Sequence, residues 1–422
     1  MFPNRMSRFV AALLIGVAAV AITACGSSSS SSSQKGTTGK NVSLETPASG
    51  CGSLKLPAVK DVDGVVKTLP ASTQESYQGL SLPVTKSVWQ NFKPKGEPPY
   101  DVAVVWGPAT PGFNNTVGKA VTDRLKQSPL VRNVTYKTMG AEVNIPTALA
   151  NVNNAIAQKV DIIILEPMLS VPFIDIAAKA SKAGIPVVAV QAAIDSPDVI
   201  NVGPNLVKGS AEADARLFRI IGGKGTLLRV QGIPGVPANA DALTGEKLAI
   251  KNCPDIKVAG EVFGAFATAN AKSEVLKYLG THPAKVDGVV QSGTMGNGIM
   301  AAFQQVGRPM PVVNDIGPTS GSLAYWANNR GKYFGVGDAM GPAALGAGAA
   351  NVALRILEGQ GPKLTFITQG LPILNEKNLD EWATDKSATF TSVGGPEGPP
   401  NTFLNDEYLN AMFVNGAPPK SK

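Results

Sequence analysis

From Tyr100 onward, short apolar runs alternate with stretches whose apolar residues recur at helical spacing. The first run, Val102 to Trp106, stops at Gly107-Pro108 and predicts a strand. The same reading predicts a helix at 114–127, a strand at 134–138, a helix at 146–158 and a strand at 161–165. A helix at 171–183 then leads through Gly184 into a strand at 186–190. The alternation restarts with helix 206–221, strand 226–230, helix 240–251, strand 256–262, helix 268–279 and strand 288–291. Helix 297–305, strand 312–313, helix 320–327 and strand 333–336 complete this second round. The last long helix, 342–358, is rich in Ala and Gly and so suited to close packing.

Short strands separated by helices mean βαβ units and parallel sheets. The strands read as near-continuous apolar runs, as expected where helices cover both faces of a sheet. Two rounds of alternation therefore predict an α/β chain with two similar Rossmann-like lobes. Residues 40–99 lack sustained periodicity and are rich in Pro, Ser, Thr and Gly. They predict an extension with a short helix near Asp63 to Leu69, held to the body by Trp89 and Phe92. After Asn375 the text again becomes Gly/Pro-rich and predicts an irregular tail.

The N-terminus has a different pattern. Arg5 and Arg8 precede an apolar run from Phe9 to Ala21, broken only by Gly16. That run is short of the roughly 20 apolar residues a spanning helix needs, and it has the length of a secretory signal. It ends in Ile22-Thr23-Ala24-Cys25, which resembles the lipobox of bacterial lipoproteins. The resemblance implies a leader over 1–24 and a lipid such as palmitate on Cys25. The protein would then be held at the extracytoplasmic side of the cell membrane. Gly26 and the run Ser27 to Ser33 bury nothing and read as a flexible tether.

Composition narrows the function. Hydrophobic residues are 44% of the 422 and charged residues 16%, which fits globular lobes rather than disorder. The net charge of +7 is scattered, with no Lys/Arg cluster interleaved with aromatics, so nucleic acid is not an expected partner. His282 is the one histidine, in a turn-like Thr-His-Pro. It leaves no material for a Ser-His-Asp triad or a histidine-rich zinc site, and no metal or cofactor is expected. Setting Cys25 aside leaves Cys51 and Cys253, which an oxidising compartment would tend to bridge; two separate thiols are the alternative. Gly222 to Thr226 (G-G-K-G-T) lacks the phosphate-loop spacing and precedes a strand, so it reads as a turn.

Several pieces carry a family resemblance in their order and spacing: Y-D-V-A-V-V-W-G-P-A-T-P-G-F-N-N from Tyr100, D-I-I-I-L-E-P, A-G-I-P-V-V-A-V, L-L-R-V-Q-G-I-P-G, and A-L-G-A-G-A-A-N-V-A-L-R-I-L-E-G-Q. From about Tyr100 to Lys363 the chain resembles the sugar-type periplasmic binding proteins of ABC importers. The resemblance implies two lobes around a hinged cleft, a small solute bridging them, and importer membrane subunits that read the closed form. It implies a monomer and not an enzyme. The implied layout is a leader (1–24), lipidated Cys25 and tether (25–40), an extension (41–99), a first lobe (100–204 with 338–363), a second lobe (205–337 with 364–385) and a tail (386–422).

Open parallel sheets bind ligands at the carboxyl ends of their strands, so residues there are the site candidates. In the first lobe these are Trp106, Thr110, Phe113, Asn114, Glu166 and Gln191, with packing at a helix start as the other reading of Phe113. In the second they are Gln231, Asn239, Ser292, Thr294 and Asp315, with Asp338 where the chain crosses back. An aromatic face suits a sugar's C–H surface, while polar neighbours fix its orientation. The chain departs from the family's sugar-binding Asp-Arg and Arg, having Gln191-Ala192 and Asp241-Ala242-Leu243-Thr244 in their places. Ser292-Gly293 stands where Asn-Asp is usual. Losing forked Arg and Asp partners implies a less charged pocket. A ligand-sensing receptor for a kinase or chemoreceptor would use the same fold. A surface enzyme would need an acid, base or nucleophile constellation that isolated carboxylates do not supply.

Overall fold

A computed structural model describes residues 50–109, 112–338 and 340–416. The expected leader, Cys25, the tether and Thr110 lie outside the described residues. Ahead of the first strand the chain forms a tight turn at Val66–Thr68, one helical turn α1 (Ala71–Gln74) and another tight turn at Glu75–Tyr77.

Regular alternation follows: β1 (Tyr100–Trp106), α2 (Phe113–Lys126), β2 (Val131–Thr138), α3 (Ile145–Ala157), β3 (Ile162–Leu165), α4 (Ile174–Lys182), β4 (Val187–Val190) and β5 (Val199–Val202). The second round is α5 (Leu206–Ile220), β6 (Gly225–Gln231), α6 (Pro237–Lys251), β7 (Ile256–Phe263), α7 (Thr268–Thr281), β8 (Gly288–Gln291), α8 (Gly296–Gln305), β9 (Val312–Asp315), α9 (Ser320–Asn328) and β10 (Val336–Asp338). The chain ends with α10 (Pro342–Leu357), β11 (Phe366–Ile367), β12 (Ile373–Leu374), α11 (Leu379–Trp382) and α12 (Asp406–Asn410).

These strands make two six-stranded sheets, ordered β11-β5-β4-β3-β1-β2 and β12-β10-β9-β8-β6-β7. Strand β12 runs antiparallel to β10, and the other paired strands are parallel. Central strands β3, β4 and β5 are buried along their whole length, because helices cover both faces. Edge strand β7 instead alternates buried or half-buried with exposed positions (I-K-V-A-G-E-V-F), the pattern of a strand with one wet face. Side-chain caps fix three of the described helix starts: Asn144 accepts from the Thr147 N–H at 3.0 Å, Asn205 from the Lys208 N–H at 3.2 Å and Asn405 from the Tyr408 N–H at 2.9 Å. The Ala/Gly-rich α10 lies tightly on α2, where a Cβ on Gly346 would come within 2.4 Å of the Val117 carbonyl.

Three features differ from the sequence reading. Strand β5 was not predicted, because its polar Asn201 interrupts the apolar run. Asn201 is nonetheless buried, its side chain bonded at both ends to the Ile194 backbone at 2.8 and 3.0 Å. Strand β11 belongs to the first sheet although it lies beyond the expected boundary at Lys363; a two-residue strand carries no period. The tail is not merely irregular: Phe403, Leu404, Leu409, Met412 and Phe413 are buried in the first lobe's core. Arg355, itself without exposure, ties the tail down through the Asp406 carbonyl at 2.8 Å and the Phe413 ring.

Candidate ligand-binding site

In the first lobe, the ends of β1, β3 and β4 bring Asn114, Glu166 and Gln191 into one hydrogen-bonded chain. Gln191 Nε2 donates to Asn114 Oδ1 at 2.6 Å, and Asn114 Nδ2 donates to Glu166 Oε2 at 3.4 Å. The nearby backbone N–H groups of Gly107 and Met168 favour the charged form of Glu166, yet burial pushes its carboxyl up to about 7. Gly107 makes room for it: a Cβ there would sit 1.9 Å from Glu166 Oε2. Asn114 and Gln191 are only half-buried, so this network is open at one end.

In the second lobe the polar atoms lie deeper. Asn239, on the first turn of α6, donates to Gln231 Oε1 at 2.9 Å and accepts from Ser292 Oγ at 2.7 Å and the Gly232 N–H at 2.7 Å. Asp315 accepts from Gln291 Nε2 at 3.1 Å, from the Thr319 N–H at 3.2 Å and from Ser322 Oγ. Both of its oxygens are therefore engaged inside the lobe, and burial together with the Asp338 charge pushes its carboxyl up to about 7. Asp338 is fully buried; its Oδ1 accepts from the Gly317 N–H at 2.8 Å while Oδ2 has no partner among the described residues. Burial raises this carboxyl to about 6.

The structure separates the remaining candidates. Trp106 is a core residue rather than a cleft residue: it has no exposure, packs with Val102, Val104, Val117 and Val121, and its Nε1 donates to the Asn114 carbonyl at 3.0 Å. Phe113 is half-buried and packs on that same core. Thr294 holds left-handed backbone (φ 56°) and donates through Oγ1 to the Phe266 carbonyl at 3.3 Å.

Two residues escaped the sequence reading. Gln291 links β8 to Asp315, with its Oε1 accepting from the N–H groups of Gly293 (3.2 Å) and Met295 (3.0 Å). Phe266 lays its ring over the ends of β6 and β8, where a Cβ on Gly232 would meet it at 2.1 Å and one on Gly293 at 3.7 Å. Glycines at both strand ends were the available sequence signal. Of the eight non-glycine residues with positive φ among those described, Met168, Gln191, Ala265, Phe266 and Thr294 lie in loops after strands β3, β4, β7 and β8. Such backbone is costly and collects at functional sites. Among the described residues, no group of three or more His, Cys, Asp or Glu could hold a metal ion, and no helix is long and apolar enough to cross a membrane.

Residues 102–361, from the first strand through α10, match the family model for the periplasmic binding protein domain. This chain belongs to the periplasmic binding protein family, among its sugar-type members. The xylitol-binding protein of Mycolicibacterium smegmatis is 29% identical over 251 residues, covering 59% of this chain and 70% of that one. An ABC transporter solute binding protein from Thermobispora bispora superposes with a TM-score of 0.60 at 26% identity, over 68% of this chain and 88% of the other. One from Bacillus halodurans, with bound myo-inositol, gives a TM-score of 0.60 at 18% identity, over 69% and 99%. The fold is thus that of a type I periplasmic binding protein, two parallel-sheet lobes around a hinged cleft. The relatives of this binding protein are solute-binding proteins, not enzymes. In the stretch Asp241-Ala242-Leu243-Thr244, which stands in place of the family's arginine, the Asp241 carboxyl meets the Ser81 side chain and burial raises its pKa.

Proposed function

We propose that this binding protein is the extracytoplasmic solute receptor of an ABC importer, taking an uncharged, polyhydroxylated solute such as a polyol or sugar between its lobes. The supporting observation is the pair of polar networks at the strand ends, Asn114–Glu166–Gln191 in one lobe and Gln231–Asn239–Ser292 in the other. Amides and hydroxyls both donate and accept, which suits hydroxyl groups that do the same. The half-exposed Phe266 ring adds an apolar face for the C–H side of such a ligand. The similarity to a xylitol-binding protein fits this chemistry.

In this reading the protein is a monomer that works at the outer membrane surface, anchored by lipid on Cys25. It delivers its solute to the membrane subunits of the importer. A ligand that binds only the native state raises the melting temperature by mass action. A thermal-shift screen over polyols, pentoses, hexoses, nucleosides and amino acids should therefore give a response confined to the polyols and sugars. A response to amino acids alone, or none at all, would remove the proposal. Incorporation of labelled palmitate, lost in Cys25→Ala, tests the anchor separately.

A further inference from the structure

We infer that the two segments flanking the family-matched region, 50–99 and 386–416, are straps that limit how far the lobes of this protein can separate. Both lie outside residues 102–361. The lobes are already joined where β5 leads to α5, β10 to α10 and β11 to β12. Each strap adds a further link, because each is anchored in both lobes.

The N-terminal strap begins on the second lobe. Cys51 is bonded to Cys253, whose side chain is buried with Leu217, Phe218, Ala249 and Ile256. The Gly52 N–H donates to the Asn252 carbonyl at 2.7 Å. The strap then sinks Val66, Tyr77, Leu80, Val84 and Trp89 into the first lobe's core. Tyr77 Oη donates to the Phe366 carbonyl at 2.8 Å and Trp89 Nε1 to the Asp198 carbonyl at 2.8 Å. On the way it touches the second lobe again. Asn205, the cap of α5, donates to the carbonyls of Ser76 (3.0 Å) and Gln78 (2.8 Å), and Ser81 meets Asp241 near the start of α6.

The C-terminal strap runs the other way. It leaves Trp382 in the second lobe's core, and Asn297 Nδ2 donates to the Ser392 carbonyl at 3.0 Å. It then passes Gly341, whose Cβ would lie 2.3 Å from the Glu397 carbonyl, on the crossover between lobes. It finishes with Phe403, Leu404 and Phe413 in the first lobe's core. A chain segment extends by at most about 3.3–3.6 Å per residue, so short runs between anchors set a ceiling on opening. Covalent closure at Cys51–Cys253 makes that ceiling firm for the first strap; without it, the hold on the second lobe falls back on hydrogen bonds.

This inference rests on reading the molecule as a hinged binder, but its test needs no ligand, so a failed ligand screen leaves it standing. Dyes are placed through unnatural amino acids at Asn115 and Asn270, exposed positions at the cleft-side ends of α2 and α7. Single-pair energy transfer is then read on the ligand-free full chain. The parent should show one narrow distribution. The Cys51→Ser/Cys253→Ser variant should shift it to longer separation and broaden it, and Ser81→Ala/Asp241→Asn should shift it less in the same direction. A cysteine-variant distribution that superimposes on the parent's overturns the inference. Dyes at Asn115 and Asp175, both in the first lobe, report unfolding. If the cysteine variant unfolds, the Ser81/Asp241 variant decides, and an unshifted distribution there overturns it.

Discussion

The two lobes carry polar networks at equivalent strand ends, yet they are built differently. In the second lobe Gln231, Asn239, Gln291, Ser292 and Asp315 are all buried, and they hydrogen-bond to one another, to nearby backbone and, for Asp315, to Ser322 Oγ. In the first lobe only Glu166 is buried, while Asn114 and Gln191 keep half-exposed amides. A buried group already satisfied inside the protein gains little by exchanging its partner, whereas a half-exposed amide can meet a ligand where it now meets water. The second lobe therefore offers a preformed floor topped by Phe266, and the first offers half-exposed amides that a ligand can reach. Preorganisation on one side reduces what binding must order.

The largest expected effect concerns a residue that belongs to neither network. Trp106 has no exposure and fills the space under α2, where Gly118 leaves its ring room. Trp106→Ala should cost about 3–5 kcal/mol of folding stability in urea denaturation, the usual range for a buried aromatic. Affinity per folded molecule should be unchanged. A loss of affinity at unchanged stability would return Trp106 to the cleft and erase the contrast between lobes.

Next in size is a pH effect. The Glu166 carboxyl is raised from 4.5 to about 7 by burial, and Asp315 and Asp338 are raised as well, to about 7 and about 6. A carboxyl whose folded value exceeds its unfolded value favours folding while protonated. That contribution is full below the unfolded values and falls as pH climbs through 6 to 7. Each unit of difference is worth about 1.4 kcal/mol, so the melting temperature should fall between pH 5 and pH 8. Glu166→Gln should flatten that slope. An unchanged slope would mean that Glu166 is better hydrated than its place in the network implies.

Much of this was legible from pattern alone, and the misses have physical reasons. Strand-end positions identify the right edge of a sheet, but not which face a side chain takes. Val102, Val104 and Trp106 share one face by the two-residue period, the face that α2 covers, whereas Ala103 and Val105 belong to the other core. That phase was readable, and it places Trp106 inside. Phe266 was harder to see, because its position depends on two consecutive left-handed residues, Ala265 and Phe266 (φ 54° and 58°), which no periodicity announces. The straps are only partly readable: Trp89 and Phe92 do dock on the first lobe's core as expected, whereas isolated apolar residues such as Tyr77 and Phe413 find that core only through the tertiary fold.

A smaller effect tests the space that admits the Glu166 carboxylate. Gly107→Ala would place a Cβ 1.9 Å from Glu166 Oε2 and 3.0 Å from Asn114 Nδ2. Overpacking of this kind costs about 1–3 kcal/mol. Adding Glu166→Ala should recover part of the stability by removing the clash, which a double-mutant cycle would read as favourable coupling. Independent, additive losses would show that the carboxylate can move aside and that the first-lobe network is looser than its hydrogen bonds suggest.

The smallest expected effects decide the comparison most directly. Asn114→Ala should weaken binding of whichever solute the thermal screen finds by about tenfold, or about 1.4 kcal/mol, while changing stability by less than about 0.5 kcal/mol. Its amide is half-exposed, its Gln191 partner can turn to water, and its bond to Glu166 is long at 3.4 Å. Ser292→Ala should do the reverse. It removes a donor to the buried side-chain Oδ1 of Asn239, for a stability loss of about 1 kcal/mol, and leaves affinity nearly unchanged. Isothermal titration for affinity and urea denaturation for stability separate the two. Were Ser292→Ala to weaken binding at full stability, the buried set would be exchanging its partners for the ligand, and the adaptable side of the cleft would be the second lobe.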